Sequence, residues 1–228
     1  KPYEFGMDIS LSVQGIIKNG KKPWKKNGLK SGDILLLSRP LGVGIIFAAQ
    51  MQNINLFNST NLVYKSLRTS QQFLLDQIYQ LQDNLGENII NAATDITGFG
   101  FIGHLKEMVK SSNLQRKSHN LNEIKAVLNL MSFNTYPNVK ELIKKGVKSS
   151  LFDGNKKIYD EIIEKEFAQR EIIFDLEEDL STGAISDKIE LLLDPQTCGP
   201  LLISCKPKFE KFLKNNWYKV GRICDKDI

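Results

Sequence analysis

The segment that most constrains this chain is residues 91–108, in which a glycine-rich turn joins the end of a short apolar run to an amphipathic stretch. The run that ends at Ile90 is apolar, as in a buried strand. After the turn, apolar residues recur at the spacing of one helical face, at Phe101, Ile102, Leu105, Met108 and Val109. The spacing therefore predicts a strand, a turn and a helix, with the hydroxyl of Thr97 capping the helix.

The turn itself has the composition of an anion site. Gly98 and Gly100 have no Cβ, so another group can approach the backbone closely. The orphan N–H groups and the positive end of the helix dipole favour an anion there. Asp95 ends the strand beside the turn, where a carboxylate can hold a lysine, an amide or a hydrated metal. His104, one helical turn on, either faces the ligand of the turn or is an ordinary helix histidine.

Two other interpretations of this segment compete. Gly98, Gly100 and Gly103 form G-x-G-x-x-G, the dinucleotide-binding fingerprint, which makes a Rossmann oxidoreductase a distant alternative. That fingerprint requires a second strand ending in an acidic residue about 20 residues later, and the region 118–125 instead resembles a loop. The simplest interpretation is a capped helix packed on a sheet, with glycines that only permit close packing.

Two further segments have a similar design. Residues 33–51 form a strand, a turn with Gly42 and Gly44, and a helix, and here close packing is favoured over a second anion site. Residues 194–200 form a loop between apolar runs that are interpreted as strands.

Taken together, these segments resemble selenophosphate synthetase (selenide, water dikinase), whose superfamily includes aminoimidazole ribonucleotide synthetase. The resemblance is carried by residues 94–104, 29–46 and 191–203, which occur in the order of the family's C-terminal domain. It implies an α+β fold, with a mixed sheet and helices packed on its faces. It also implies that residues 1–28 hold the last strand of a truncated N-terminal ATP-binding domain and a connector, and that residues 29–228 form the C-terminal domain.

The resemblance implies an ATP-dependent reaction in which selenide, ATP and water give selenophosphate, AMP and phosphate. In the family, the catalytic residues and most contacts to ATP and Mg²⁺ lie in the N-terminal domain, so no catalytic residue and no metal ligand is assigned in this chain. Alone, the chain is expected to be inactive. The residues that match the family's motifs are expected to shape one wall of the active-site cleft: Asp95, Thr97, Gly98, Gly100, Asp194, Gln196 and Thr197. Weaker candidates are His104, Gly42, Gly44 and Cys198.

The chain departs from the family pattern at residues 68–72, where the family usually carries an asparagine within a helix, and at two further places. Cys198 replaces a serine and Pro200 replaces a glycine, which removes a backbone N–H. The loop 146–157 lacks the family's glycine pair and arginines. These departures motivate an alternative function, a degenerate binding or dimerisation module of a larger protein, which in some members of the family is fused to a flavoprotein.

Composition narrows the classes of protein further. The 228 residues are 41% hydrophobic and 25% charged, with a net charge of +5, which is ordinary for a globular domain. No apolar run approaches the roughly 20 residues of a membrane span. No nucleic-acid motif accompanies the lysines, and the three cysteines lack metal-site spacing. The composition therefore predicts a cytoplasmic protein that binds neither nucleic acid nor membrane. The partners that the resemblance implies are a small-molecule substrate, the missing N-terminal domain and a second copy of the protein in a homodimer.

The remaining pattern predicts the other elements. Strands are expected at 33–38, 189–193 and 217–223, and within 7–17, where Ile9, Leu11 and Val13 alternate with polar residues. Helices are expected at 45–51, at 62–84 as one long helix ended by Gly86, and at 138–145. Residues 121–133 fit either a helix or a strand.

Overall fold

The computed structural model describes residues 10–17, 22–165, 170–175 and 182–226. The strands are β1 (Ile34–Leu37), β2 (Ile90–Asp95), β3 (Ile124–Asn129), β4 (Ile172–Asp175), β5 (Leu201–Cys205) and β6 (Tyr218–Asp225). The helices are α1 (Val43–Met51), α2 (Phe57–Arg68), α3 (Gln72–Leu85), α4 (Gly100–Ser118), α5 (Val139–Lys144), α6 (Phe152–Ile163), α7 (Thr182–Leu193) and α8 (Glu210–Leu213). Short 3₁₀ helices lie at Leu130–Ser132 and Pro207–Phe209.

The strands form one mixed sheet in the order β2-β5-β1-β6-β3-β4. All neighbours are antiparallel except β3 and β4. The helix α4 joins β2 to β3, and three strands lie between these two in the sheet. It therefore does not connect adjacent parallel strands, as the crossover helix of a dinucleotide-binding unit does. The mixed sheet confirms the predicted α+β class, and its topology argues against the Rossmann alternative.

Alternating strand residues divide the core into two layers. In β1, Leu35 and Leu37 face the larger layer, which also contains the buried residues of α1, α4, α5 and α7. Ile34 and Leu36 face a smaller layer with α3 and the segment around α8. Both faces of the central strand are therefore buried, which explains why β1 reads as a continuous apolar run.

The predicted long helix at 62–84 is wrong in one respect, because it is two helices, α2 and α3, broken at residues 69–71. Thr69 is extended and its hydroxyl donates to the carbonyl of Lys65. The hydroxyl of Ser70 accepts from the N–H of Gln72. Side chains that bond to the local backbone compete with helix continuation, and they do so here. The predicted end at Gly86 is confirmed, since Gly86 adopts the left-handed conformation.

The predicted strand at 189–193 is wrong, since these residues form the last part of α7. Ile189, Leu191, Leu192 and Leu193 are all buried, and only Glu190 interrupts them, so these five residues show no helical period of their own. A short apolar run of this kind cannot be assigned by periodicity alone. The predicted loop 146–157 likewise gives way to α6 at Phe152.

Two other predictions have mixed outcomes. Residues 121–133, whose sequence fits either a helix or a strand, contain β3 and a 3₁₀ turn. Within the described residues 10–17 there is no strand, and Leu11 and Val13 are 86% and 90% exposed. Ile9 lies outside the described residues. The boundary between residues 28 and 29 remains a prediction.

Candidate functional site

A small cleft of about 280 Å³ lies where β2 ends, beside the break between α2 and α3 and the loop after α7. We call it the Asp95 cleft. Its lining residues are Arg39, Leu67, Thr69, Ser70, Gln71, Asp95, Thr97, Cys198 and Gly199. Three of the predicted candidates, Asp95, Thr97 and Cys198, thus meet in one place.

Asp95 has the properties expected of a ligand-binding carboxylate. Its backbone pairs with Leu201 at the end of β2, which fixes its position. Its side chain is exposed, and within the described residues no hydrogen bond or ion pair involves the carboxylate. Arg39 lines the same cleft but bonds to carbonyl groups instead. The carboxylate is therefore available to a cation or to a hydrogen-bond donor.

Thr97 does not cap α4 with its hydroxyl, so that prediction is wrong. Its carbonyl accepts from the N–H of Gly100 at 3.1 Å, and the helix begins three residues after Thr97. Its N–H and Oγ1 lie 3.0 and 3.1 Å from Nε2 of His104. The helix start is thus closed by the backbone of the turn, while the side chain of Thr97 contacts the histidine.

His104 supports the turn from behind. Because Nε2 accepts from an amide N–H, the imidazole is neutral and its proton lies on Nδ1. Burial lowers the pKa of His104, in keeping with a neutral ring. His104 is 5% exposed and does not line the cleft, so it orders the Thr97 backbone.

Gly98 and Gly100 also lie behind the cleft. Gly100 has φ +65°, and a Cβ there would lie 2.7 Å from the carbonyl oxygen of Leu193. The side-chain amide of Asn155 donates to the carbonyls of Gly98 and Leu193, both at 2.9 Å. These glycines therefore let the turn pack against the end of α7. Sequence reasoning missed Asn155 because it lies in the segment interpreted as a loop.

Asp194 and Gln196 point away from the Asp95 cleft and hold the start of α1. Gln196 Oε1 accepts from the N–H groups of Gly42 and Val43 at 3.2 and 3.3 Å. Asp194 Oδ2 accepts from the N–H of Ile45 at 3.2 Å and from Gln196 Nε2 at 3.0 Å. We call this arrangement the α1 clamp.

The clamp satisfies the backbone donors of the turn before α1. The N–H of Gly44 donates to the carbonyl of Pro195. The donors of Gly42 and Gly44, weak candidates for an anion site, are thus already bonded to protein groups, as the close-packing interpretation expected. Asp194 is 1% exposed, and desolvation raises its pKa to about 7 against the opposing bonds from Ile45 and Gln196.

The outer part of the same loop faces solvent. Thr197 is exposed but does not line the Asp95 cleft. Cys198 is exposed with φ +45°, and its carbonyl accepts from Nη1 of Arg39 at 3.1 Å. A second guanidinium bond goes to the carbonyl of Thr69. Arg39 therefore ties the loop to the break between α2 and α3, and burial lowers its pKa.

Sequence reasoning missed six lining residues, four of which have polar side chains: Arg39, Thr69, Ser70 and Gln71. Gln71 donates to the carbonyl of Gly199 at 3.0 Å and accepts from Ser38 at 2.6 Å. A Thr-Ser pair that interrupts a helical pattern was the available signal. Their proximity to Asp95 could not be read from the sequence, because it depends on strand order.

The structure also bears on metals and membranes. No group of three or more His, Cys, Asp or Glu side chains that could hold a metal ion occurs among the residues that the structure describes. In the same residues, no helix is both long and apolar enough to cross a bilayer.

The chain matches known proteins over most of its length. Residues 30–227 match the family described as AIR synthase related protein, C-terminal domain. The selenide, water dikinase of Caldanaerobacter subterraneus subsp. tengcongensis is 29% identical over 95% of this chain and 55% of its own. Selenide, water dikinase 2 of Peptoclostridium acidaminophilum is 27% identical over 96% of this chain and 53% of its own. The chain thus spans about half the length of these curated relatives.

The fold has solved counterparts as well. E. coli HypE, a hydrogenase maturation protein, covers 89% of this chain with 46% of its own, at a TM-score of 0.53 and 13% identity. At that identity the likeness concerns the fold alone. The family match over residues 30–227 confirms the superfamily that three sequence motifs predicted: the chain belongs to the family of AIR synthase related C-terminal domains.

Proposed function

We propose that this chain is the C-terminal part of a selenophosphate synthetase and that the Asp95 cleft faces its active site. The relatives named selenide, water dikinase support this, since they match more than nine-tenths of the chain. The single observation that carries the site is the exposed carboxylate of Asp95, which has no partner among the described residues and lies in a cleft with Arg39.

The chemistry divides between two domains in this proposal. The preceding domain holds most of the contacts to ATP and Mg²⁺, as the resemblance to selenophosphate synthetases implies. The carboxylate of Asp95 can supply one oxygen ligand to a cation that is bound by the preceding domain. The N–H groups of Arg39 that are not bonded to Cys198 and Thr69 fit an anionic phosphate group. A second copy of the protein is the expected partner.

The test is selenide-dependent formation of AMP from ATP. The complete protein should turn over, whereas the chain described here should not, because the catalytic segments belong to the preceding domain. Turnover by this chain alone would contradict the assignment of the catalytic residues to the preceding domain.

The alternative is a degenerate binding or dimerisation module. Pro200 supplies no N–H, and Asp194 and Gln196 are engaged in the α1 clamp. If the complete protein is folded but forms no AMP with selenide, this alternative replaces the enzymatic proposal.

A further inference from the structure

A second and larger depression lies on the other side of Arg39. Its volume is about 600 Å³, and it lies between the end of α2, the start of α3 and the segment that joins α8 to β6. We call it the basic cleft. It shares Arg39, Thr69 and Gln71 with the Asp95 cleft but does not include Asp95.

The charges of the basic cleft all have one sign. Arg39, Lys65 and Lys214 line it, and none of its described lining residues is an aspartate or glutamate. Among the described residues, none of the three cations forms an ion pair. Lysines elsewhere on the surface do have acidic partners, for example Lys26 with Glu107. The cleft therefore carries uncompensated positive charge, as an anion site does.

Helix ends account for only part of this arrangement. Lys65 lies in the last turn of α2 and Lys214 follows α8, and a helix C-terminus favours a nearby cation. That effect explains each lysine separately. It does not explain why two helix ends and Arg39 converge on one cleft without an acidic residue.

The walls add a buried donor and apolar surface. Trp217 lines the cleft and is 3% exposed, and its indole N–H is buried without a hydrogen-bond partner among the described residues. Such donors are normally bonded to a protein group or to ordered water, and this N–H is too deeply buried to contact a ligand in the cleft directly. Phe73, which is 52% exposed, offers an aromatic ring to solvent in the same cleft.

We propose that the basic cleft binds an organic phosphate that carries a flat ring, such as a nucleoside monophosphate. Its phosphate lies against Lys65 and Lys214, and its ring lies on Phe73. The Tyr218 hydroxyl donates to the backbone carbonyl of Arg39 and holds the backbone between the two clefts. This site lies apart from Asp95, so it does not depend on the proposed synthetase function.

The test uses Trp217 as its own reporter. Trp24, which is the other tryptophan and packs on Tyr79, is replaced by phenylalanine so that all indole emission comes from Trp217. Titration with AMP should change this emission saturably, and AMP should bind more tightly than inorganic phosphate. No saturable change with AMP would overturn the proposal.

Charge variants then locate the site. Lys65→Gln and Lys214→Gln should each weaken AMP binding on the order of fivefold to tenfold, as for the loss of one charged hydrogen bond. Lys117→Gln is the matched control, because Lys117 is an exposed lysine of α4 that lines none of the clefts described here. Equal losses in all three variants would indicate non-specific attraction and refute the site.

Two further variants separate the ring and the neighbouring cleft. Phe73→Ala should weaken AMP binding several-fold but leave phosphate binding unchanged. If AMP and phosphate bind equally and Phe73→Ala has no effect, an organic phosphate is the wrong ligand. Asp95→Asn should not weaken AMP binding; a loss there would place the ligand in the Asp95 cleft and contradict the proposal. The chain's melting temperature, measured for each variant, shows that it remains folded.

Discussion

Replacing Gln196 with leucine tests whether the loop after α7 is a structural clamp. The side chain is 3% exposed and close to leucine in size, so the change removes hydrogen bonds without opening a large cavity. Two backbone donors of α1, at Gly42 and Val43, lose their acceptor. Asp194 also loses a donor, because Nε2 of Gln196 bonds to its backbone carbonyl and to its carboxylate, both at 3.0 Å.

The expected loss follows from these geometries. The bonds to Gly42 and Val43 are 3.2 and 3.3 Å long, which is above the usual length. We therefore assign to each the lower end of the free-energy cost of leaving a buried N–H donor unpaired. That is about 1 kcal/mol each, and the two bonds to Asp194 add a similar amount. The total is about 3–4 kcal/mol, a large share of the roughly 5–15 kcal/mol that stabilises a domain.

Urea unfolding of the chain, followed by circular dichroism, measures this loss. Gln72→Leu is the control, because Gln72 is an exposed glutamine whose amide bonds only to Asp76. It should change the free energy of unfolding by less than about 0.5 kcal/mol. A loss below about 1 kcal/mol for Gln196→Leu would refute the clamp and return Gln196 to the list of ligand-binding candidates.

Two further predictions concern the same loop. Because burial raises the pKa of Asp194 to about 7, the folded chain holds this proton more tightly than the unfolded chain does. Its contribution to stability is therefore present below about pH 4 and is lost as the pH rises through about 7. Asp194→Asn should flatten this dependence in urea unfolding at several pH values, and an unchanged dependence would contradict the assignment. Pro200→Gly should lower the free energy of unfolding by about 0.5–1 kcal/mol through the unfolded state and leave nucleotide affinity in the complete protein unaltered. A few-fold tighter affinity in calorimetric titration would instead indicate that the loop cradles phosphate.

Local patterns predicted the elements whose sequence has a clear period or a clear end. The helix α4 has one apolar face, and Gly86 ends α3 in the left-handed conformation that glycine favours. The pattern failed for α7, because residues 189–193 contain four buried apolar side chains around one glutamate and are too few to show a helical period. It also failed at residues 69–71, where hydroxyl groups interrupt a helix without glycine or proline.

The candidate site could be predicted only in part. Asp95, Thr97 and Cys198 were identified from motifs, and the structure brings them together. Asp194 and Gln196 belong to an equally recognisable motif, yet their side chains serve α1. A motif shows that particular residue types occur together, but the direction of each side chain depends on packing between distant elements. The positions of Arg39 and Gln71 depend on the order of strands in the sheet, which no local pattern encodes.

The central claim is that Asp95 serves the ligand and not the fold. The most direct measurement is Asp95→Asn in the complete protein, with selenide-dependent AMP formation and the melting temperature determined on the same preparation. The carboxylate is exposed and has no partner among the described residues, so the melting temperature should move by less than about 2 °C. Activity should fall at least tenfold, as for the loss of one charged contact to the reacting groups. A large drop in melting temperature with unchanged activity would show that Asp95 is structural and would contradict the account.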